Sequence, residues 1–152
     1  MKKAVIVSCS RTAVGTFGGS LKSTPVVELG ATVVKGTLKK AGLRPVSPAV
    51  AEGVTPETLK TDGLIELEKK YYDYDDSLKP VEVDEVIFGN VVAAGQGQNV
   101  TRQAMIHAGM AKETPAFTVN KICASGMKAV ALGAQAIGCG EADVVLALCQ
   151  LD

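Results

Sequence analysis

The sequence has no excess of charge of either sign: its 152 residues include 16 basic and 16 acidic side chains. A neutral chain has no general electrostatic attraction for nucleic acid or for an anionic membrane surface, and we find no local basic patch that would replace it. We therefore expect no binding to nucleic acid or to a membrane.

Long apolar runs are missing at the start of the chain. Residues 4–7 are apolar, but they are followed at once by Ser8, Cys9, Ser10 and Arg11. Such a run is too short for the core of a signal peptide and far too short to span a bilayer. We therefore expect a cytoplasmic protein.

Closely spaced cysteines are also missing, since Cys9, Cys123, Cys139 and Cys149 form no C-x-x-C pair. Structural zinc sites are typically built from such pairs, and a chain of this length can bury a core without disulfide bonds. The sequence therefore indicates neither a metal site nor a disulfide scaffold.

What the sequence does contain is an alternation of short apolar strands with helices. Strands are predicted at residues 3–8, 85–89, 116–120 and 143–148, and helices at residues 24–41, 99–109 and 124–138. Thr24 and Asn99 are the expected caps of the first two helices, and Gly42 is the expected stop of the first. Both alternating faces of the strands are apolar, which is typical of a sheet covered on two sides. The βαβαβαβ order predicts an α/β fold with a four-stranded, mainly parallel sheet.

The third predicted helix, from Ala124 to Gly138, is rich in alanine and glycine and carries only two strongly polar side chains, Lys128 and Gln135. A helix that is apolar nearly all round is expected to be buried on every side. Four strands alone cannot cover it completely, so we expect a further layer of structure over this helix.

The segment from residue 44 to residue 80 is too long and too rich in proline for a simple crossover. It holds four of the six prolines and all three tyrosines. We interpret it as a peripheral insertion, with an amphipathic helix within residues 56–72 that is interrupted at Asp62 and Gly63. The acidic run from Asp73 to Asp76 is expected in a solvated turn.

Cys123 follows a predicted strand and directly precedes the third helix. Amide groups and the helix dipole stabilise an anion at this position by ~0.3–1 kcal/mol, which favours the reactive thiolate. The alternative is that Cys123 is simply a small buried apolar residue.

The other candidates for chemistry are less specific. His107 is the only histidine, and helical spacing does not show whether it faces Cys123 as a base or is an ordinary partly buried side chain. Cys139 lies at the far end of the same helix as Cys123 and is assigned no role. The glycine-rich segments at residues 15–19 and 95–99 match neither phosphate-binding fingerprint.

Several segments together resemble the N-terminal half of the thiolases. They are SRTAVGTFGGSL at residues 10–21, TPVVELG at 24–30, VDEVIFGNV at 83–91, GQGQN at 95–99 and NKICASGMKA at 120–129. The resemblance is closest to the acetyl-CoA acetyltransferases, and it is weaker to the ketoacyl synthases. It implies a thiolase-like half-domain over residues 1–152, with the insertion at about 44–80.

By this resemblance, Cys123 is the catalytic nucleophile that accepts an acyl group from an acyl-CoA. An enolate from a second acetyl-CoA then attacks the thioester, and the reverse reaction is thiolysis. Coenzyme A thioesters are substrates, so no separate cofactor is implied. The strand from Ala116 to Asn120 and the loop from Gly95 to Gln103 correspond to dimer elements, which implies a homo-oligomer.

The sequence departs from the thiolase pattern after Ala147. The loop domain and the C-terminal half, with catalytic histidines, an asparagine and a second cysteine, have no counterpart in these residues, and neither His107 nor Cys149 matches them. We expect the 152 residues to be inactive alone and to need a complementary C-terminal half. The alternative is a non-catalytic chain, either a truncated remnant or an assembly subunit.

Overall fold

The structure is a computed structural model that describes residues 2–47 and 65–149. In chain order its elements are α1 (Val26–Lys40), β1 (Leu43–Val46), α2 (Glu66–Tyr71), β2 (Lys79–Glu82), β3 (Glu85–Gly89), α3 (Val100–His107), β4 (Ala116–Val119), α4 (Ser125–Cys139) and β5 (Val145–Cys149). Helices alternate with parallel strands, so the predicted α/β class is confirmed.

The main sheet has three parallel strands in the order β4-β3-β5. In the central strand, Ile87 pairs with Phe117 on β4 and with Ala147 on β5. The sheet separates two layers of helices. Val86 and Phe88 belong to the core that includes residues of α1 and α3, whereas the alternate position Gly89 lies against the start of α4.

This layering agrees with the connections between the strands. The β3-α3-β4 unit joins neighbouring strands, and the β4-α4-β5 unit crosses over the central strand. The first connection runs toward one edge of the sheet and the second runs back toward the other edge. Right-handed crossovers that run in opposite directions place their helices on opposite faces of a sheet. The carboxyl ends of all three strands therefore meet at one edge, where α4 begins.

The helix ends follow the sequence signals in part. Asn99 caps α3 by accepting a hydrogen bond from the Arg102 amide at 3.1 Å, as its position predicted. Gly42 follows α1 with a positive φ of 74°, which suits its predicted role as a stop. The predicted cap of α1 at Thr24 is wrong, because the cap position is Pro25, whose side chain has no polar atom.

The first predicted strand, residues 3–8, is not a strand in the structure. It lies beside α1, where the Ser8 hydroxyl donates to the Thr37 carbonyl oxygen and Lys40 Nζ donates to the Cys9 carbonyl oxygen. Three strands of the main sheet thus coincide with prediction, and the fourth does not. The polar groups that follow the apolar run bond to α1 instead of to a strand, and Val5, Ile6 and Val7 are left exposed.

Residues 65–80 are more deeply packed than the interpretation of a peripheral insertion implied. The Tyr74 hydroxyl is buried and donates to the Ala108 carbonyl oxygen at 2.9 Å, and burial raises the pKa of this phenol. The Glu68 carboxylate is also buried and accepts from the Lys112 amide at 2.7 Å. The peripheral placement is therefore wrong for this part of the segment.

Two further strands form at the edges of the same segment. β1 and β2 pair in parallel, with Pro45 opposite Val81. The final part of the helix predicted within residues 56–72 forms the short α2. The earlier part of that prediction falls within residues 48–64, which lie outside the described residues.

Helix α4 is buried on one side only, which agrees with the expectation that these strands cannot cover it completely. The further layer expected over its other face stays a prediction. Ala129 and Gly133 face the sheet, whereas Met127 is 76% exposed and Val130 is 47% exposed. Within residues 2–47 and 65–149, α4 packs mainly on β3 and β5. The helical stretch Ile122–Cys139 is apolar and long enough to cross a membrane, a property that core helices of globular proteins share.

Candidate functional site

Cys123 lies in the tight turn that connects β4 to α4, at the edge where the three strands end. Its side chain is exposed, and it directly precedes Ala124, the cap residue of α4. The turn is closed by hydrogen bonds from the Ala124 and Ser125 amides to the carbonyl oxygens of Lys121 and Ile122, at 3.1 and 3.0 Å. The structure thus places Cys123 where the strand and helix pattern predicted it.

The first turn of α4 presents free amide groups near this thiol. Ala124 has no polar side-chain atom with which to cap the helix. The next amides, those of Gly126 and Met127, have no acceptor within the part of the chain that the structure describes. Unpaired amides at a helix start stabilise negative charge, so the location suits an anionic intermediate formed when Cys123 attacks a carbonyl carbon.

Two glycines allow the turn to approach the ends of the strands. A Cβ atom on Gly89 would lie 2.3 Å from the Ser125 carbonyl carbon, and a Cβ on Gly126 would lie 2.3 Å from the Cys149 Cβ. Only glycine fits at either contact. The position of Cys123 is therefore fixed by backbone packing between β3, β5 and the start of α4.

The turn also contains the single positive φ among the non-glycine residues that the structure describes, 51° at Ile122. Asn120 and Ser125 bond to the backbone on both sides of it. These residues were not singled out as part of the site from the sequence. The signal that could have found them is the spacing of asparagine and serine around Cys123, since both side chains readily bond to nearby backbone groups.

The structure does not bring His107 to Cys123. His107 is the last residue of α3, and its ring stacks on Tyr71 with centroids 4.2 Å apart. Within residues 2–47 and 65–149 no hydrogen bond joins it to Cys123.

Cys139 is the last residue of α4, at the opposite end from Cys123, so the helix dipole acts on the two thiols in opposite senses.

The loop before α3 is ordered by side chains rather than shaped to hold a phosphate. Gly95 and Gly97 adopt positive φ angles of 76° and 94°. The buried Asn90 donates through Nδ2 to Gln96 Oε1 at 2.9 Å, and Gln103 Nε2 donates to the Gln96 carbonyl oxygen at 3.0 Å. The loop therefore lies against the carboxyl end of β3, on the same edge of the sheet as the Cys123 turn.

The resolved pKa shifts lie elsewhere in the described residues. Hydrogen bonding by Lys39 lowers the pKa of Asp73, and the Ser77 amide lowers that of Asp75. Burial, with the nearby Glu141 carboxylate, raises the pKa of Glu85 at the amino end of β3.

A search of the described residues for metal ligands finds no cluster of three or more histidine, cysteine or acidic side chains that could hold a metal ion.

Comparison with known proteins gives consistent matches. The family model described as thiolase, N-terminal domain, matches residues 4–55 and 70–150. The chain is 43% identical over 147 residues to an acetyl-CoA acetyltransferase of Cupriavidus necator and 41% identical over 147 residues to one of Escherichia coli. Each alignment covers 97% of this chain but 28% of the relative.

A solved structure gives the same picture. A thiolase from Ascaris suum, crystallised in complex with coenzyme A, superposes with a TM-score of 0.69 at 31% sequence identity. The match covers 97% of this chain and 30% of the Ascaris chain. In both comparisons the chain spans less than a third of the proteins that it matches.

Proposed function

The chain belongs to the thiolase family, and from this premise we propose that it takes part in acyl transfer between coenzyme A thioesters, with Cys123 as the nucleophile. The observation that carries the proposal is the placement of an exposed thiol at the uncapped start of α4, within the part of the chain that matches the thiolase N-terminal domain. The acetyl-CoA acetyltransferases among its relatives favour acetyl-CoA and acetoacetyl-CoA as substrates.

In the proposed reaction the Cys123 thiolate attacks the carbonyl carbon of an acyl-CoA. A bond forms from Sγ to the acyl carbon, the bond from that carbon to the coenzyme A sulfur breaks, and coenzyme A leaves as a thiol after taking up a proton. The enolate of a second acetyl-CoA then attacks the acyl carbon, which releases acetoacetyl-CoA and regenerates the cysteine. Thiolysis is the same sequence in reverse.

The groups that complete this chemistry come, in this proposal, from a complementary C-terminal half. The described histidine, His107, is engaged with Tyr71 and has no bond to Cys123. The chain also spans only 28% of the relatives that carry the activity in their names. Both observations support a site to which the described residues contribute the nucleophile and other residues the remaining groups.

The experiment that tests the proposal is an assay of acetoacetyl-CoA thiolysis on the protein purified from its native cells, with whatever it binds there. We expect coenzyme A-dependent cleavage of acetoacetyl-CoA, and an acetyl group on the peptide that contains Cys123. An assembly that is stable but cleaves nothing, with Cys123 unmodified, would favour the non-catalytic alternative.

We further propose that the protein forms a homo-oligomer through β4 and the loop from Gly95 to Gln103. In the described residues β4 pairs only with β3, so its outer edge is open. An open edge strand is a ready surface for pairing with another chain. Phe117 on this strand is 37% exposed, so its side chain is available to a partner at this edge.

We predict that Phe117→Glu shifts the oligomer toward smaller species, because it places a charge on the proposed interface. Phe17→Glu is the matched control, since Phe17 is fully exposed in the segment before α1. Light scattering at tens of micromolar should show a lower mass for the first variant only. Equal masses for both variants and the unmodified chain would place the interface elsewhere.

A further inference from the structure

Ile122, which directly precedes Cys123, has a backbone conformation that its side chain disfavours. Its φ of 51° lies in the left-handed region, where a β-branched residue is a genuine outlier. Such a residue persists only where the surrounding contacts over-determine it, and such outliers cluster at active sites. The contacts that hold this one are two neighbouring side chains.

The first is Asn120, at the end of β4. Its Oδ1 accepts a hydrogen bond from the Ile122 amide at 2.9 Å. Its Nδ2 donates to the carbonyl oxygen of Val91, at 3.1 Å, on the segment that follows β3. Asn120 thereby ties the turn to a neighbouring part of the sheet edge.

The second is Ser125, the first residue of α4, which is only 2% exposed. Its hydroxyl donates to the Ile122 carbonyl oxygen at 2.6 Å and accepts from the Lys121 amide at 2.8 Å. Together the two side chains bond to both polar backbone groups of Ile122. Cys123 lies between them, with its own side chain exposed.

We infer that Asn120 and Ser125 are positioning residues, which hold the strained turn at Ile122 and so keep Cys123 at the start of α4. The inference rests on the proposed role of Cys123 as nucleophile and adds the residues that support it. Without these bonds Ile122 should relax to an ordinary φ. Because that change rotates the chain just before Cys123, it would move the thiol from its place at the start of α4.

The test compares the alkylation rates of Cys123 and Cys139 by iodoacetamide near neutral pH in the same molecule, read by peptide mass spectrometry. Cys139 is the internal reference, as it lies at the other end of α4. We expect Asn120→Ala and Ser125→Ala to lower the Cys123 to Cys139 ratio by about 1.3- to 2.5-fold, the part of the rate difference that comes from the start of α4. Ser125→Thr keeps the hydroxyl that bonds to Ile122 and Lys121, and it should lower the ratio less than Ser125→Ala does.

Two further variants separate positioning from general damage to the fold. Ser10→Ala also removes a side chain that bonds to backbone, at α1, and should leave the ratio unchanged. Ile122→Gly removes the strain, since glycine adopts positive φ readily. In that background Asn120→Ala should therefore lower the ratio less than it does beside isoleucine.

Four results would overturn the inference. The ratio could be unchanged in both alanine variants, or it could already be one in the unmodified chain. It could also fall as far in Ser10→Ala as in Asn120→Ala, or Asn120→Ala could lower it equally with isoleucine and with glycine at position 122. These outcomes differ from failure of the proposed function. If thiolysis by the native assembly does not depend on Cys123 while the alkylation pattern holds, then the function is wrong and the positioning role is supported.

Discussion

Gly89→Ala is expected to be among the most destabilising single substitutions in the described fold. The new Cβ would lie 2.3 Å from the carbonyl carbon of Ser125 and 2.4 Å from the Gly126 amide nitrogen. These are backbone atoms at the start of α4, and they cannot turn aside as a flexible side chain would. Overpacking typically costs ~1–3 kcal/mol and occasionally more.

We therefore expect Gly89→Ala to lower the free energy of unfolding by about 3 kcal/mol or more. For a chain of this size that corresponds to a fall of about 6–12 °C in Tm, which circular dichroism on heating would measure. The same change should slow alkylation of Cys123, because the turn that carries the thiol must shift to make room.

Gly36→Ala is the matched control for this prediction. Gly36 lies within α1, and a Cβ there would meet nothing closer than the Ser10 hydroxyl oxygen at 3.5 Å. Alanine in a helix interior is favoured over glycine by roughly 0.5–1 kcal/mol, so this variant should be slightly more stable. A Gly89→Ala protein as stable as Gly36→Ala would show that α4 does not pack on β3 as described.

Cys123→Ala is expected to remove acyl transfer from the native assembly. A covalent mechanism has no substitute for its nucleophile, and deletion of one costs about 10⁴-fold or more in kcat. Coenzyme A-dependent cleavage of acetoacetyl-CoA, followed by the loss of its absorbance, measures the effect. No acetyl group should then appear on the peptide that spans α4.

Cys139→Ala is the control, because it removes an equally small and exposed thiol from the other end of the same helix. Its activity should stay within a factor of two or so of the unmodified protein, as expected for a surface change far from the chemistry. Activity that survives Cys123→Ala, or is lost equally in both variants, would exclude Cys123 as the nucleophile.

Much of this architecture could be predicted from local patterns in the sequence. Strands β3, β4 and β5 were recognised because their apolar residues are continuous and their ends are marked by glycine or polar residues. Asn99 was recognised as the cap of α3 because asparagine is a favoured residue at helix starts. The position of Cys123 between β4 and α4 followed directly from these boundaries.

The errors concern features that depend on distant contacts. Residues 3–8 have the pattern of a strand, but whether a strand joins a sheet depends on which neighbours leave an edge open. Tyr74 and Glu68 lie in a segment of loop-like composition, and their burial is decided by partners 34 and 44 positions away. The positive φ of Ile122 also could not be predicted from the sequence, because isoleucine rarely adopts that conformation.

The most direct test of the central claim is the relative reactivity of the thiols in these 152 residues. All four cysteines are exposed, so differences in alkylation report chemistry rather than access. Opposite helix ends differ by about 0.6–2 kcal/mol in their interaction with negative charge on a nearby sulfur atom. The sulfur keeps only part of that charge while it attacks the reagent, so we expect about a two- to sixfold difference in rate.

The measurement is therefore a time course of iodoacetamide labelling near neutral pH, with each cysteine followed by peptide mass spectrometry, beside a thiolysis assay on the same sample. We predict that Cys123 is labelled about two to six times faster than Cys139 and also faster than Cys149, while these residues alone cleave no acetoacetyl-CoA. Labelling of Cys123 at the same rate as the other thiols, or more slowly, would contradict the claim that the start of α4 activates it.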